Sequence, residues 1–298
     1  MRLRVKVPAK LNLHLQVMGR RPDEYHELRT LLASIDLFDE LRAEPAPDGS
    51  LDLRVQPADA VRSGDDNLVL IAARSLREHV GRQLGARLEL DKRIPVGGGL
   101  GGGSADAAAA LVVLNRLWSL ELPTSEIHEL AAGIGSDVPY FLHGGVAVGV
   151  GRGDEVYPLP DLPELGVVVV NPGVEISTSA VYGRIRSRLT WIRHEANVYA
   201  FSAGLADLPC WEKMVNDLQP VVLEGWPMVA EALADLQATN ALRAAVTGSG
   251  SAVFGIYPDR QCAERAAAEL RGSEWRHVGV VLERRHSRMR VEEGRVWK

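Results

Sequence analysis

Pro95-Val96-Gly97-Gly98-Gly99-Leu100-Gly101-Gly102-Gly103-Ser104-Ala105-Asp106-Ala107-Ala108 places six glycines and a serine between a proline and an alanine-rich run. Glycine accepts positive φ and lets a bulky anion approach the backbone closely, at an entropic cost that an ordinary loop avoids. From Ala105 to Leu117 the residues follow a helix pattern of alanines, leucines and one asparagine. A glycine loop feeding a helix N-terminus aims unpaired N–H groups and the positive end of the dipole at one point. The stretch therefore predicts a phosphate cradle. A glycine run also reads as a flexible linker. A linker, however, needs neither Leu100 at its centre nor a strong helix former directly after it, and Pro95 marks where the preceding strand ends. The Walker A pattern fails, because no Gly-Lys-Ser/Thr follows the glycines. Gly97, Gly99 and Gly102 match G-x-G-x-x-G, but Leu88 to Ile94 alternates like a half-exposed strand, unlike the buried parallel strand that opens a dinucleotide fold. The His-Arg-Asp and Asp-Phe-Gly signatures of protein kinases are absent. A different class of phosphate loop is required.

The chain has 298 residues, 46% hydrophobic and 24% charged, enough for two domains of about 150 residues each. A net charge of -5 offers no general attraction to nucleic acid or to an anionic membrane, so a polyanion site must be local and its ligand small. Cys210 and Cys262 have no Cys or His at ligand spacing, which argues against structural zinc and makes a reducing compartment the default. Arg2-Leu3-Arg4-Val5-Lys6-Val7 alternates as a strand and lacks the apolar core of a signal peptide. No apolar run approaches the ~20 residues that cross a bilayer. A cytoplasmic protein is expected.

From Leu3 to Val17 the pattern reads as strand, Pro-Ala-Lys loop, strand, with Leu11, Leu13 and Leu15 on a buried face and Asn12, His14 and Gln16 on a more exposed one. Thr30 to Ile35 is a further strand. Helices are predicted over Asn67 to His79, capped by Asp65 or Asp66, and over Ser125 to Ala132. Three prolines in Pro158-Leu159-Pro160-Asp161-Leu162-Pro163 precede the apolar Val167-Val168-Val169-Val170 and mark the domain boundary. The second half reads as a strand, helices near Ser179 to Arg188, after Asn216 and over Met228 to Leu236, and strands Leu242 to Val246 and Ala252 to Tyr257. A helix Gln261 to Leu270 and a strand His277 to Leu282 follow. Helices on one face of an antiparallel sheet are expected. There is no internal repeat and no low-complexity tail.

Three segments carry a family resemblance when read together: Pro8-Ala9-Lys10-Leu11-Asn12-Leu13, the glycine loop, and Thr247-Gly248-Ser249-Gly250-Ser251-Ala252. In this combination the chain resembles the GHMP small-molecule kinase superfamily. Asp23-Glu24-Tyr25-His26-Glu27-Leu28, the long glycine form and Gly135-Ser136-Asp137-Val138-Pro139 are similar, within it, to the 4-diphosphocytidyl-2-C-methylerythritol kinase family. The resemblance spans nearly the whole chain in the right order. It implies an α+β, two-domain GHMP kinase fold. An N-terminal ribosomal-protein-S5-domain-2-like α/β domain (1–158) would bind ATP, and a C-terminal ferredoxin-like α/β sandwich would cover 159–298. It further implies ATP-dependent phosphorylation of the 2-hydroxyl of the cytidine alcohol in the non-mevalonate isoprenoid pathway, with Mg2+ beside ATP. No nucleic-acid or membrane partner is implied, and the chain would be a monomer or homodimer. A mevalonate- or homoserine-type kinase and a non-catalytic sensor on the same fold are the alternatives.

Asp137 follows a Gly-Ile-Gly-Ser turn and opens a short helix ending near Gly144. The segment alone reads equally as an ordinary cap; the resemblance makes Asp137 the base. A lysine on a half-exposed strand is usually just solvated, but the resemblance sets Lys10 beside that carboxylate, where it would also draw the substrate hydroxyl into line. Asn12, two residues on, shares the face of Lys10 and would bind substrate hydroxyls or diphosphate. The resemblance assigns Tyr25, His26 and Tyr182 to the cytosine and Thr178 to substrate phosphate or ribose. Tyr25 and His26 are expected to act as an aromatic pair. ATP phosphates fall to the loop Pro95, Val96, Gly97, Gly98, Gly99, Leu100, Gly101, Gly102, Gly103, Ser104 and Ala105, with Asn67 and Lys92 near the adenine and Ser104 as the one guess at a magnesium ligand. The family usually has a second serine where this chain has Ala105. Thr247, Gly248, Ser249, Gly250 and Ser251 would form a supporting turn, although a plain hairpin turn reads the same way. Asn216-Asp217 matches a family position without an assignable role.

Overall fold

β1 (Leu3–Arg20) runs as one strand through the expected Pro-Ala-Lys loop, antiparallel to β2 (His26–Pro45). In this computed structural model, which describes residues 2–58, 60–61, 63–185, 211–270 and 275–293, the proline sits at a register shift between Pro8 and Ala9. The irregularity lies on β2, where Asp36 and Leu37 fall between the pairs Pro8–Phe38 and Ala9–Ile35, so the strand carries its proline at a break in the regular ladder. The half-exposed face is also corrected: Lys10, Asn12, His14 and Gln16 are all buried. The causes are tertiary: Asp137 meets Lys10; Thr30 and Thr247 meet Asn12; and Val215 to Asp217 lies along β1, the Leu15 N–H donating to the Val215 carbonyl (2.8 Å) and the Asp217 N–H to the Leu15 carbonyl (3.0 Å).

Seven strands form the first sheet. β11 (Val291–Glu293), β1, β2, β4 (Ala86–Asp91) and β3 (Leu51–Gln56) follow in that order, and β5 (Val146–Gly151) pairs with the first part of β2 and with β6 (Glu155–Pro158). Only β3 and β4 are parallel. β11 therefore carries the last described residues, from within 159–298, back onto the N-terminal sheet. β7 (Gly166–Asn171) starts the second sheet, antiparallel throughout, in the order β10 (Trp275–Val280), β7, β9 (Val253–Tyr257), β8 (Arg243–Val246).

α1 (Leu68–Val80) is capped by Asn67, whose side chain accepts from the Val69 N–H, and not by Asp65 or Asp66. α2 (Gly102–Leu117) is buried all round, with Ala105 and Ala107 to Ala110 fully inaccessible. Alanine there lets α1, α4 (Val138–His143) and the sheet approach the helix axis from several sides. α3 (Thr124–Ile134) covers the expected Ser125 to Ala132. α5 (Thr178–Ile185) starts the helix expected near Ser179 to Arg188, whose last residues lie outside those described, as does Cys210. α6 (Gln219–Gly225), α7 (Pro227–Gln237) and α8 (Arg260–Glu269) pack on the second sheet or its neighbouring helices.

A hydrophobic cluster joins the two sheets: Leu11, Leu13 and Ile35 from the first meet Val167, Phe254 and Ile256 of the second. Leu100 belongs to it and is fully buried. The leucine inside the glycine run is therefore an anchor, fastening the loop to the junction of the two domains.

Candidate active site

The loop between β4 and α2 is held by its carbonyls. Gly97 and Gly98 accept from the N–H groups of Ser251 and Ala252 (3.1 Å each), and Leu100 accepts from the Lys10 N–H (3.0 Å). Gly99 accepts from the Thr247 hydroxyl at 3.3 Å. With the carbonyls occupied, the loop's remaining capacity is its N–H groups, and those of the first turn of α2 add to them. α2 has no side-chain cap, its N-cap being Gly101 at φ +74°. Gly99 also has positive φ (+75°), and a Cβ there would meet the Thr247 carbonyl oxygen at 2.1 Å. The two glycine turns touch so closely that no side chain fits between them.

Lys10 Nζ donates to Asn12 Oδ1 at 2.6 Å and lies 3.3 Å from Asp137 Oδ2. Asn12 Nδ2 donates to the Thr30 hydroxyl (2.8 Å), which donates to the His14 carbonyl (2.8 Å), so the amide's orientation is fixed. The Lys10 side chain is 5% exposed and that of Asp137 40%. The carboxylate thus opens to the cleft while the ammonium supports it from beneath. Asp137 is the N-cap residue of α4, one place ahead of its expected first-turn position, yet its side chain makes no capping bond. The plain-cap alternative therefore does not describe it.

His26 pairs with Tyr182 and not with Tyr25: the rings of His26 and Tyr182 lie 4.9 Å apart at 31°. Tyr25 stands 52% exposed under the guanidinium of Arg152. Burial pushes the Tyr182 phenol above its ordinary value, with the charges of Asp137 and Asp217 adding to the effect, so the ring is neutral. The hydroxyls of Thr178 and Ser249 lie 2.9 Å apart across the cleft wall.

Lys92 is buried beneath the loop, its ammonium on Asp39 and on Asp106 Oδ2 (2.8 Å). Asp39 Oδ1 also accepts the N–H groups of Arg93 (2.6 Å) and Ile94 (2.8 Å). The triad ties the end of β4 to the first turns of α2, the two stems of the phosphate loop. The ammonium, expected near an adenine, lines the cleft and is committed to two carboxylates. Lys92 keeps its charge and sits above its ordinary value: burial opposes the charge, but the carboxylates outweigh it. Burial, opposed by Lys92 and reinforced by Asp39, holds the Asp106 carboxyl well above the usual range.

One cleft of about 1330 Å³ is lined by Lys10, Asn12, Tyr25, His26, Asn67, Lys92, Pro95 to Ser104, Asp137, Thr178, Tyr182, Gly248 and Ser249. Of the residues singled out in the sequence, Ala105, Asn216, Asp217, Thr247, Gly250 and Ser251 are outside that lining. Ala105 is fully buried, so the site of the usual second serine faces the core and its methyl group packs there.

Residues 67–145 match the GHMP kinases N terminal domain and residues 200–277 the GHMP kinases C terminal domain. The 4-diphosphocytidyl-2-C-methyl-D-erythritol kinase of Pelotomaculum thermopropionicum is 42% identical over 89% of this chain and 93% of its own. The chain belongs to the 4-diphosphocytidyl-2-C-methyl-D-erythritol kinase family. Another such kinase, from Solibacter usitatus, is 37% identical over 93% of this chain and 88% of its own. A crystal structure of 4-(cytidine 5'-diphospho)-2C-methyl-D-erythritol kinase superposes with a TM-score of 0.78 at 36% identity, covering 93% of this chain and 98% of the other. Homoserine kinase from Cytophaga hutchinsonii, at 18% identity and a TM-score of 0.75, covering 98% and 97%, shares the fold. Family membership makes the chain a kinase with ATP as phosphoryl donor and a small-molecule acceptor. Among the described residues no helix is long and apolar enough to cross a membrane.

Two positions at or beside the cleft had no role assigned from the sequence. Asn216 Nδ2 donates to the carbonyls of Val246 (2.8 Å) and Gly248 (2.9 Å), and its Oδ1 accepts from the Leu218 N–H (3.0 Å). It holds the second glycine turn, the role that could not be assigned to Asn216-Asp217. Arg152 is the other, and its only sequence signal is a charge between Gly151 and Gly153.

Proposed function

We propose that this protein transfers the γ-phosphoryl group of ATP to the 2-hydroxyl of 4-diphosphocytidyl-2-C-methyl-D-erythritol, forming the 2-phosphate and ADP. The observation that carries the chemistry is the Lys10–Asp137 contact, 3.3 Å, in the cleft that the glycine loop also lines. The hydroxyl oxygen attacks the γ-phosphorus, its proton passes to an Asp137 carboxylate oxygen, and the bond to the ADP oxygen breaks. Lys10, held in direction by Asn12, keeps the carboxylate in place and lends positive charge near the reacting oxygens. The loop amides and the α2 N-terminus receive the phosphates.

A magnesium ion, when bound, would neutralise phosphate charge. Among the described residues no three His, Cys, Asp or Glu side chains cluster to hold a metal. The site therefore fits an ion held chiefly by phosphate oxygens and water, with the Ser104 hydroxyl, at the start of α2, as one side-chain oxygen on the cleft wall.

The test is ADP release from ATP with the cytidine alcohol, mevalonate and homoserine as acceptors under identical conditions. Turnover restricted to the cytidine alcohol is expected; turnover only with another acceptor would overturn the substrate assignment, and none with any would favour a sensor. The His26–Tyr182 ring pair in the cleft supports that choice, because it offers an aromatic face on which a cytosine can stack. Tyr182→Ala is expected to raise KM for the cytidine alcohol about tenfold, in line with ~1–3 kcal/mol per stacked base. Tyr182→Phe should stay near wild type, and an unchanged KM in the alanine variant would remove the stacking contact.

A further inference from the structure

Tyr25 stands at the turn joining β1 to β2, half exposed, and its backbone is fixed on both sides. Its N–H donates to Asp23 Oδ1 (3.2 Å) and its carbonyl accepts from the Arg21 N–H (2.8 Å). An exposed ring keeps its side-chain freedom even on a fixed backbone, and ordering it at the moment of binding would weaken affinity. Something must hold the ring beforehand if it is to read a ligand well.

Arg152, in the β5–β6 turn, does so. Its guanidinium carbon lies 5.0 Å from the Tyr25 ring centroid, over one face of the ring. A cation at that distance is attracted to the ring's negative face. Arg152 is itself held by Asp154: Nε and Nη2 reach the same carboxylate oxygen at 3.0 and 2.6 Å, and the Arg152 N–H donates to the other at 3.2 Å. The turn is anchored in the sheet, where Gly151 lies opposite Leu28, two residues beyond His26. Arg152, Gly153 and Tyr25 all line the cleft on the side of the His26–Tyr182 pair. Two of the three guanidinium nitrogens are bonded to Asp154, which fixes the direction of the group beside the ring.

We propose that Asp154, Arg152 and Tyr25 form one specificity device, in which Asp154 orients Arg152 and Arg152 holds the Tyr25 ring with its opposite face presented to the cytosine. The device rests on the nucleobase reading of this wall given above. Arg152 is a positioning residue: it acts through Tyr25 and takes no part in phosphoryl transfer.

Steady-state kinetics on Arg152→Met, Arg152→Lys, Tyr25→Ala and the double variant Arg152→Met/Tyr25→Ala test it. Methionine keeps the length of the side chain without the charge, and lysine restores a cation over the ring. Arg152→Met is expected to raise KM for the cytidine alcohol about three- to tenfold, with kcat and KM for ATP unchanged. Arg152→Lys should lie nearer wild type. The double variant should be no worse than Tyr25→Ala alone, because the two residues act as a unit. An unchanged KM in Arg152→Met beside a raised one in Tyr25→Ala would overturn the device and leave the nucleobase reading standing. Effects of the two substitutions that multiply in the double variant would make Arg152 an independent contact, which also overturns it. An unchanged KM in Tyr25→Ala would take away Tyr25's part in the nucleobase reading, and the device with it.

Discussion

Asp137→Asn is expected to lower kcat by roughly 10² or more while the affinity for ATP stays close to wild type. The amide has the shape of the carboxylate but cannot accept the hydroxyl proton, and the loop N–H groups, not Asp137, are the groups that receive the phosphates. Because the interaction is made as the proton moves, kcat and kcat/KM for the alcohol should fall together. The fold should survive, since the side chain is 40% exposed, caps no helix, and leaves Lys10 still bonded to Asn12. The check is single-turnover kinetics beside a direct measurement of nucleotide binding. A kcat within about threefold of wild type would remove Asp137 from the role of base. A loss confined to ATP affinity would make its contribution one of binding.

Lys92→Met should cost about 3–5 kcal/mol of stability, a fall in Tm on the order of 10 °C. The substitution retains the apolar stem and removes the one ammonium that Asp39 and Asp106 share in a fully buried site. Buried carboxylates without a counter-charge are far more unfavourable than the loss of an exposed pair. The pH dependence has a definite sign. Asp106 is held above its ordinary value in the fold, chiefly by burial, so the folded chain favours its protonated form. Its unfavourable contribution therefore grows as pH rises from the unfolded carboxylate range toward the raised folded value. Without Lys92 that folded value climbs further. The Tm difference between wild type and Lys92→Met should then be larger near pH 8 than near pH 5, and Asp106→Asn in the Lys92→Met background should recover part of it. Equal deficits at both pH values would show that carboxyl titration plays no part. An unchanged Tm would show that the triad does not brace the loop.

Much of the fold was legible because its signals are local. Strand alternation, the Asn or Asp ahead of a helix and the proline cluster before β7 follow from rules spanning a few residues. The elements expected over described residues are found to within a few positions, although the strand over Thr30 to Ile35 runs on to Pro45 as part of β2. The loop within β1 is an exception. That exception has a tertiary origin: Pro8-Ala9-Lys10 resembles a loop until the bulge and the covering segment Val215 to Asp217 are present. The same segment covers His14, and Asn12 is enclosed by Lys10, Thr30 and Thr247, so residues whose alternation reads as a solvated face are buried by distant parts of the chain. The carboxylate partners of Lys92 were illegible for a related reason: nothing local announces that Asp39 and Asp106 converge on it. Arg152 gave no motif at all, because its partners are a turn of its own and the tip of a distant hairpin.

The sequence by itself determined the chemistry available to this protein: a glycine run able to approach an anion, a helix to follow it, a lysine, a carboxylate and aromatic rings in an order shared with one kinase family. Backbone conformation at glycine and proline is dictated by sterics within a few bonds, so those features need no long-range contact to be read. Only the tertiary structure decided which side chains share an environment. Lys10 meets Asp137, His26 meets Tyr182 instead of Tyr25, and the two glycine turns close to a distance that excludes a Cβ. Burial and charge pairing depend on what surrounds a residue in space, and in this chain those surroundings come from segments far apart in sequence, brought together by the apolar junction that Leu100 anchors.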